Sequence, residues 1–266
     1  TTEIYTLSLH DALPISTRRV AEGYYELRFT WPEGDDDEPA PGRFLTVRAG
    51  GRYDPALRRP FAFSGYSPDS DRGCASFIFQ LRGRGTEYLA ALREGDPLDT
   101  LGPLGAGFGK PPRDTRPVLV AGGIGLGPML YLARALAEDA AAGLCEAPVF
   151  IIGVRSAAFV PSIDLPAGTV ICTDDGSAGF KGTATDWLAG YDPGLPPSFY
   201  ACGPAPMMAA VDRLSQARRA TYQSAAEQLM ACCVGACAGC AGRPNTGAFV
   251  RVCADDPVLE GRAVVG

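Results

Sequence analysis

From Val20 to Phe108 the apolar positions recur in short alternating stretches. Tyr24-Tyr25-Glu26-Leu27-Arg28-Phe29 alternates, as do Phe44-Leu45-Thr46-Val47 and, in part, Ser76-Phe77-Ile78-Phe79, with Gly, Pro and Asp clusters between them. That pattern predicts the antiparallel strands of a barrel or sandwich. The acidic run Gly34 to Pro39 reads as a solvated hairpin loop, and Lys110 to Asp114 as a linker. The period then changes. Val118-Leu119-Val120-Ala121, Val149-Phe150-Ile151-Ile152 and Val170-Ile171-Cys172 are continuous apolar runs, and Phe199-Tyr200-Ala201 follows later. Between them lie helical stretches at Met129 to Ala142, around Trp187-Leu188, and from Pro206 to Ala220. Strands apolar on both faces, alternating with helices, predict a doubly wound parallel sheet. The tail from about Gln223 is rich in Gly and Cys and too short to bury a large core, so a bound metal centre would explain its folding.

The expected fold is therefore multidomain, β plus α/β: an antiparallel barrel over residues 17–113, a parallel sheet over 114–222, and a small module over 223–266. Residues 1–16, TTEIYTLSLHDALPIS, read as the translation of a common short-read sequencing adapter, and are expected to be an artefact that replaces the native N-terminus and a first strand. Removing them removes His10, the one histidine, and takes the net charge from −6 to −4. An acidic chain with a pI of about 4.9 is not expected to bind nucleic acid or an anionic membrane surface. No apolar stretch approaches the roughly 20 residues needed to span a bilayer. No leader is recognisable, so a cytoplasmic location is expected.

Five of the nine cysteines fall in the last 35 residues. Cys232, Cys237, Cys240 and Cys253 are spaced C-x4-C-x2-C-x12-C, and the first three match plant-type [2Fe–2S] spacing. Gly235 and Gly239 suit a tight loop whose N–H groups turn towards sulfur. A structural zinc site or disulfides are the alternatives. Zinc usually shows paired C-x2-C knuckles and only one is present, while disulfides need an oxidising compartment. Cys74, Cys145 and Cys172 read as small buried hydrophobes.

Two further patterns point to phosphates. Arg59-Pro60-Phe61-Ala62-Phe63-Ser64 offers a guanidinium ahead of a strand, and Gly83-Arg84-Gly85-Thr86 a phosphate-contacting turn. Leu101-Gly102-Pro103-Leu104-Gly105, in the same half, strengthens the Arg59 signal. Gly122-Gly123-Ile124-Gly125-Leu126-Gly127-Pro128 follows a predicted strand and opens a helix, where free N–H groups and the helix dipole favour an anion. Thr173-Asp174-Asp175-Gly176-Ser177 and Cys202-Gly203-Pro204 also follow strands, on the side where open α/β sheets bind ligands.

These motifs in this order resemble the ferredoxin–NADP reductase superfamily. Within it they are similar to the electron-transfer subunits of NAD-linked (class 1B) dihydroorotate dehydrogenase. The discriminating residues are Glu227 to Cys240 (EQLMACCVGACAGC) and Arg251 to Val258 (RVCADDPV), supported by Thr173 to Ser177, Lys181-Gly182 and Tyr200 to Pro204. The resemblance spans essentially Val20 to the C-terminus. It implies FAD bound by Arg59, Phe61, Ser64, Gly85 and Thr86, with Gly122, Gly123, Gly125, Asp174 and Cys202 facing the pyridine nucleotide. It further implies a [2Fe–2S] cluster on Cys232, Cys237, Cys240 and Cys253. The implied path runs from the FMN of a catalytic dihydroorotate dehydrogenase subunit, through the cluster and FAD, to NAD⁺. The family implies a heterotetramer working in pyrimidine biosynthesis. Three positions depart from the pattern: Cys233 stands where Gly is usual, Ala62 where Ser is, and Arg43 where Gln is.

No catalytic side chain is expected, because the cofactors carry the chemistry and substrate oxidation belongs to the partner. Two other readings stay open. One is a ferredoxin:NAD(P) or sulfide-type oxidoreductase subunit; the other is a zinc-ribbon regulator on a nucleotide-sensing domain.

Overall fold

The structure is a computed structural model, describing residues 9–31, 38–50, 56–68, 73–244, 249–255, 257–260 and 264–265. Asp35 to Asp37, at the heart of the predicted acidic loop, lie outside the described residues.

The first half forms one curled antiparallel sheet. Its strands are β1 (Leu9–Ala12), β2 (Pro14–Ala21), β3 (Tyr24–Trp31), β4 (Phe44–Val47), β5 (Arg59–Ser67), β6 (Gly73–Gln80) and β7 (Leu98–Leu104), in the order β1-β7-β4-β5-β6-β3-β2. Alternation along these strands sends Leu27, Phe29, Phe63, Phe77 and Phe79 into a common core. β1 pairs with β7 and β2 with β3, so one extended stretch of chain joins the two edges of the sheet. At its midpoint Leu13 exchanges hydrogen bonds with Thr30. Residues 9–12 and 14–16 of the adapter-like run thus occupy strand positions at the seam, with Ala12 buried. A short helix, α1 (Arg84–Ala91), follows β6.

The second half holds β8 (Arg116–Gly122), α2 (Leu126–Ala141), β9 (Val149–Val154), β10 (Val170–Thr173), β11 (Phe180–Lys181), α3 (Ala184–Ala189), β12 (Pro197–Cys202), α4 (Ala205–Ala217) and β13 (Thr221–Ala225). The sheet order is β11-β10-β9-β8-β12-β13, every neighbour parallel. The continuous apolar runs are explained by burial on both faces. Leu119, Ala121, Phe150 and Tyr200 face α2, while Val118, Val120, Ile151 and Phe199 face α3 and α4. α2 begins at Leu126, three residues before the predicted start, since Pro128 is tolerated in a helix's first turn. It lies between this sheet and the barrel: a Cβ on Gly127 would meet the Ser64 Cβ at 3.6 Å. β13 runs to Ala225, past the expected boundary at 222, so the sheet continues into what the sequence assigned to the tail.

The tail contributes β14 (Ala241–Pro244), β15 (Val250–Arg251), β16 (Val258–Glu260) and β17 (Val264–Val265). β16 pairs antiparallel with β13. Cys233, Cys240, Val252 and Cys253 pack on Phe44 and Leu104 of the barrel, so the tail shares a core with the barrel and a sheet with the second half.

Candidate functional site

Two constellations emerge, one of sulfur and one of nucleotide type. In the loop after β13, the Gly235 N–H lies 3.2 Å from the Cys253 Sγ and the Cys237 N–H 3.3 Å from the Cys232 Sγ. The Gly239 N–H lies 3.3 Å from the Cys237 Sγ and the Cys253 N–H 3.4 Å from the Cys240 Sγ. Each of the four predicted ligands therefore accepts a main-chain N–H, the environment that stabilises thiolate charge. Gly235 has a φ of 77°, and a Cβ there would lie 2.7 Å from the Ala254 Cβ, so glycine lets the loop fold over its own sulfurs. Arg251 closes the loop, donating to the Gly235 carbonyl at 3.0 Å and to Asp255 at 2.7 Å.

Burial alone would raise the Cys232 thiol. The backbone donors of Val234 and Cys237, the Cys237 side chain and the Ala236 backbone outweigh it and bring it down to about 6. The Cys240 thiol donates to the Cys253 Sγ at 3.2 Å, and burial, then the contact between these two thiols, pushes the Cys253 thiol up. The sulfurs thus associate in two pairs, Cys232 with Cys237 and Cys240 with Cys253. Four thiols in two pairs, each sulfur accepting a main-chain N–H, suit the four thiolates that would hold a [2Fe–2S] cluster.

Cys233 is buried among Phe44, Leu104 and Val252, and burial pushes its thiol up to about 11. Its φ of 62° explains why glycine suits this position. All nine cysteines are free.

The second constellation is a cleft of about 610 Å³ over the carboxyl ends of the parallel strands. Of the residues predicted to face a pyridine nucleotide, Gly122, Gly123 and Asp174 line it. Gly125 and Cys202 do not line it but shape its floor, because a Cβ on Gly125 would collide with the Cys202 carbonyl and lie 2.8 Å from the Gly203 N. Cys202 is buried, and burial, then the charge of Glu227, pushes its thiol up to about 12. Arg155 lies at one end, its guanidinium 6.0 Å above the Phe159 ring. Sequence reading missed Tyr24 and Arg82 of the barrel wall, Met207 of α4, and Glu227 beyond β13. Each comes from a different element, and only the ordering of strand ends gathers them.

None of the five residues assigned to FAD lines this cleft. Phe61 stacks on Phe77 with centroids 4.5 Å apart, and the Ser64 hydroxyl is buried against that of Ser76 at 2.9 Å. Arg59 donates to the Leu57 carbonyl at 2.7 Å. The Thr86 hydroxyl accepts from the Arg82 and Gly83 N–H groups and donates to the Gly83 carbonyl. Antiparallel pairing, with Phe63 opposite Phe77, puts the start of β5 at the same end of the sheet as the end of β6 and as Gly85 and Thr86, which lie in the first turn of α1 and not in the free turn expected from the sequence. That end also carries Gln80 and Arg82 into the cleft, so the groups assigned to FAD flank it.

The structure of an NADH-dependent reduced ferredoxin-NADP oxidoreductase superposes with a TM-score of 0.78 at 22% identity, over 96% of this chain and 90% of that one. Phthalate dioxygenase reductase does so at 0.57 and 19% identity, over 96% and 79%. Both likenesses are of fold: an antiparallel barrel beside a parallel sheet, here with an appended cysteine module. Residues 227–265 match the iron–sulfur cluster binding domain of dihydroorotate dehydrogenase B. The electron transfer subunits of dihydroorotate dehydrogenase B (NAD(+)) from Caldanaerobacter subterraneus and Geobacillus thermodenitrificans are 33% and 36% identical, covering 92% and 94% of this chain and 94% and 96% of their own length. The chain belongs to this family of electron transfer subunits.

Proposed function

We propose that the chain accepts electrons from the FMN of a catalytic dihydroorotate dehydrogenase subunit and delivers them to NAD⁺, through a [2Fe–2S] cluster and FAD, in pyrimidine biosynthesis. When bound, the cluster supplies one-electron transfer, and the flavin converts single electrons into hydride equivalents. Cys232, Cys237, Cys240 and Cys253 would hold the cluster, with four main-chain N–H groups offsetting the charge on their sulfurs. Arg59 and the Gly85-Thr86 turn would hold the FAD pyrophosphate, and Phe61 would support the flavin from the barrel. The N–H groups of Gly122 and Gly123 would meet the NAD⁺ pyrophosphate, and Asp174 would accept from a ribose hydroxyl. Free thiols throughout suit a reducing compartment, as expected of the cytoplasm.

The observation that carries this reading is continuity. Two residues beyond the end of the sheet's last parallel strand, Glu227 stands on the wall of the nucleotide cleft, and the first cysteine of the loop follows five residues later. A partner surface lies on the loop's outer side. No charged residue occurs between Glu227 and Arg243, and Leu229 is 90% exposed, Val234 37%, with Cys237 also at the surface. An uncharged, partly apolar patch around a redox centre suits docking of another protein. The test is reconstitution with the FMN-containing catalytic subunit. Dihydroorotate should then drive NADH formation that needs both proteins; cofactor-loaded chain that leaves NAD⁺ unreduced in the mixture overturns the reading.

A further inference from the structure

The strand ends beneath the cleft act as a ruler. β10, β9, β8, β12 and β13 lie side by side in that order. Adjacent strands are about 4.8 Å apart, so Asp174 beyond β10 and Glu227 beyond β13 are separated by four steps, roughly 19 Å. A dinucleotide whose pyrophosphate sits on the glycines after β8 therefore has one end over β10 and the other over β12 and β13. The β10 end, with Arg155, Phe159 and Asp174, offers a flat cation–aromatic surface and a carboxylate, which suit a purine and its ribose. The opposite end borders the cysteine module, where electrons arrive, so the nicotinamide belongs there.

Among the described residues Glu227 is the one carboxylate lining that end. It lines the cleft together with Tyr24 of the barrel wall and with Gly203 and Pro204 of the turn that follows Cys202. Neither neighbour can supply negative charge itself: burial raises the Cys202 thiol and the Tyr24 hydroxyl, so both stay neutral at pH 7. The oxidised nicotinamide ring carries a positive charge, and the reduced ring carries none.

Resting on the nucleotide site proposed above, we infer that Glu227 is a specificity determinant for redox state, its carboxylate offsetting the charge of the oxidised ring so that NAD⁺ is held in preference to NADH. Glu227 is exposed, and glutamine keeps its shape, so Glu227→Gln removes charge with little structural cost.

The experiment is calorimetric titration of the cofactor-loaded chain, wild type and E227Q, with three probes. These are NAD⁺, tetrahydro-NAD (an uncharged-ring analogue that cannot donate hydride) and ADP-ribose, which lacks the ring. E227Q should weaken NAD⁺ by about fivefold, the size expected of one screened charge pair, and shift the other two by less than about twofold. E227D, which keeps the charge, should recover part of the loss. Equal shifts for all three probes, or no shift for NAD⁺, overturn the inference while leaving the nucleotide site standing. Wild-type protein that binds none of the three overturns the site and the inference with it.

Discussion

Gly125 and Cys202 meet backbone to backbone, the α-carbon of one packed against the carbonyl of the other, with the Gly203 N 2.8 Å from where a Cβ would stand. This contact seats the glycine turn after β8 on the turn after β12, and both border the cleft. Gly125 has a φ of −62°, so its requirement is for space. Gly125→Ala should cost about 2 kcal/mol through overpacking and lower the melting temperature by several degrees. It should also weaken NAD⁺, because the two turns must part. Thermal melts with and without NAD⁺ check both effects.

Cys240 and Cys233 are both buried cysteines of one loop, yet they face different surroundings. Cys240 pairs with Cys253, whereas Cys233 packs between Phe44 and Leu104. Cys240→Ser should abolish or strongly reduce the visible iron–sulfur absorption. Cys233→Ala should keep it and cost about 1 kcal/mol for the lost packing. Spectra of the two purified variants separate the roles.

Asp99 accepts from Arg48 at 2.8 Å and Arg58 at 2.5 Å, tying β7 to the segments around β4 and β5. Burial alone would raise its carboxyl, but the hydrogen bonds and charges of Arg58 and Arg48 outweigh it and hold it below the usual range. A depressed folded-state value gives stability that is present above the unfolded value of about 3.9 and lost as pH falls through the folded one. Asp99→Asn should cost about 1 kcal/mol at pH 7, a figure kept small because the pair is partly exposed. The gap between variant and wild type should close in melts taken below pH 4.

Leu229 stands 90% exposed beside the cysteine loop. Leu229→Asp should leave NADH-dependent reduction of a small dye unchanged and weaken association with the catalytic subunit by tenfold or more, through one buried unpaired charge. Sedimentation of the mixed subunits reads the change.

Much of this was legible in the sequence. Strands such as Val118 to Ala121 are buried on both faces and so read as unbroken apolar runs, and cysteine spacing is set by cluster geometry within one loop. Features that depend on register or on distant elements were not. The register shift between Phe63 and Gly65, beside which the Ser64 hydroxyl meets that of Ser76, leaves no mark on the local pattern. Tyr24, Arg82 and Glu227 come together from β3, the end of β6 and the exit of β13, which no local pattern records. Even the seam of the barrel is invisible in periodicity, since β1 and β2 lie at opposite edges of one sheet while adjoining in the chain.

The central claim is that the two sulfur pairs hold a two-iron cluster in a chain that also carries flavin. Chemical analysis of the purified protein for iron, acid-labile sulfide, zinc and flavin tests it most directly. About two irons, two sulfides and one FAD per chain are expected. One zinc with no sulfide and no flavin would contradict it.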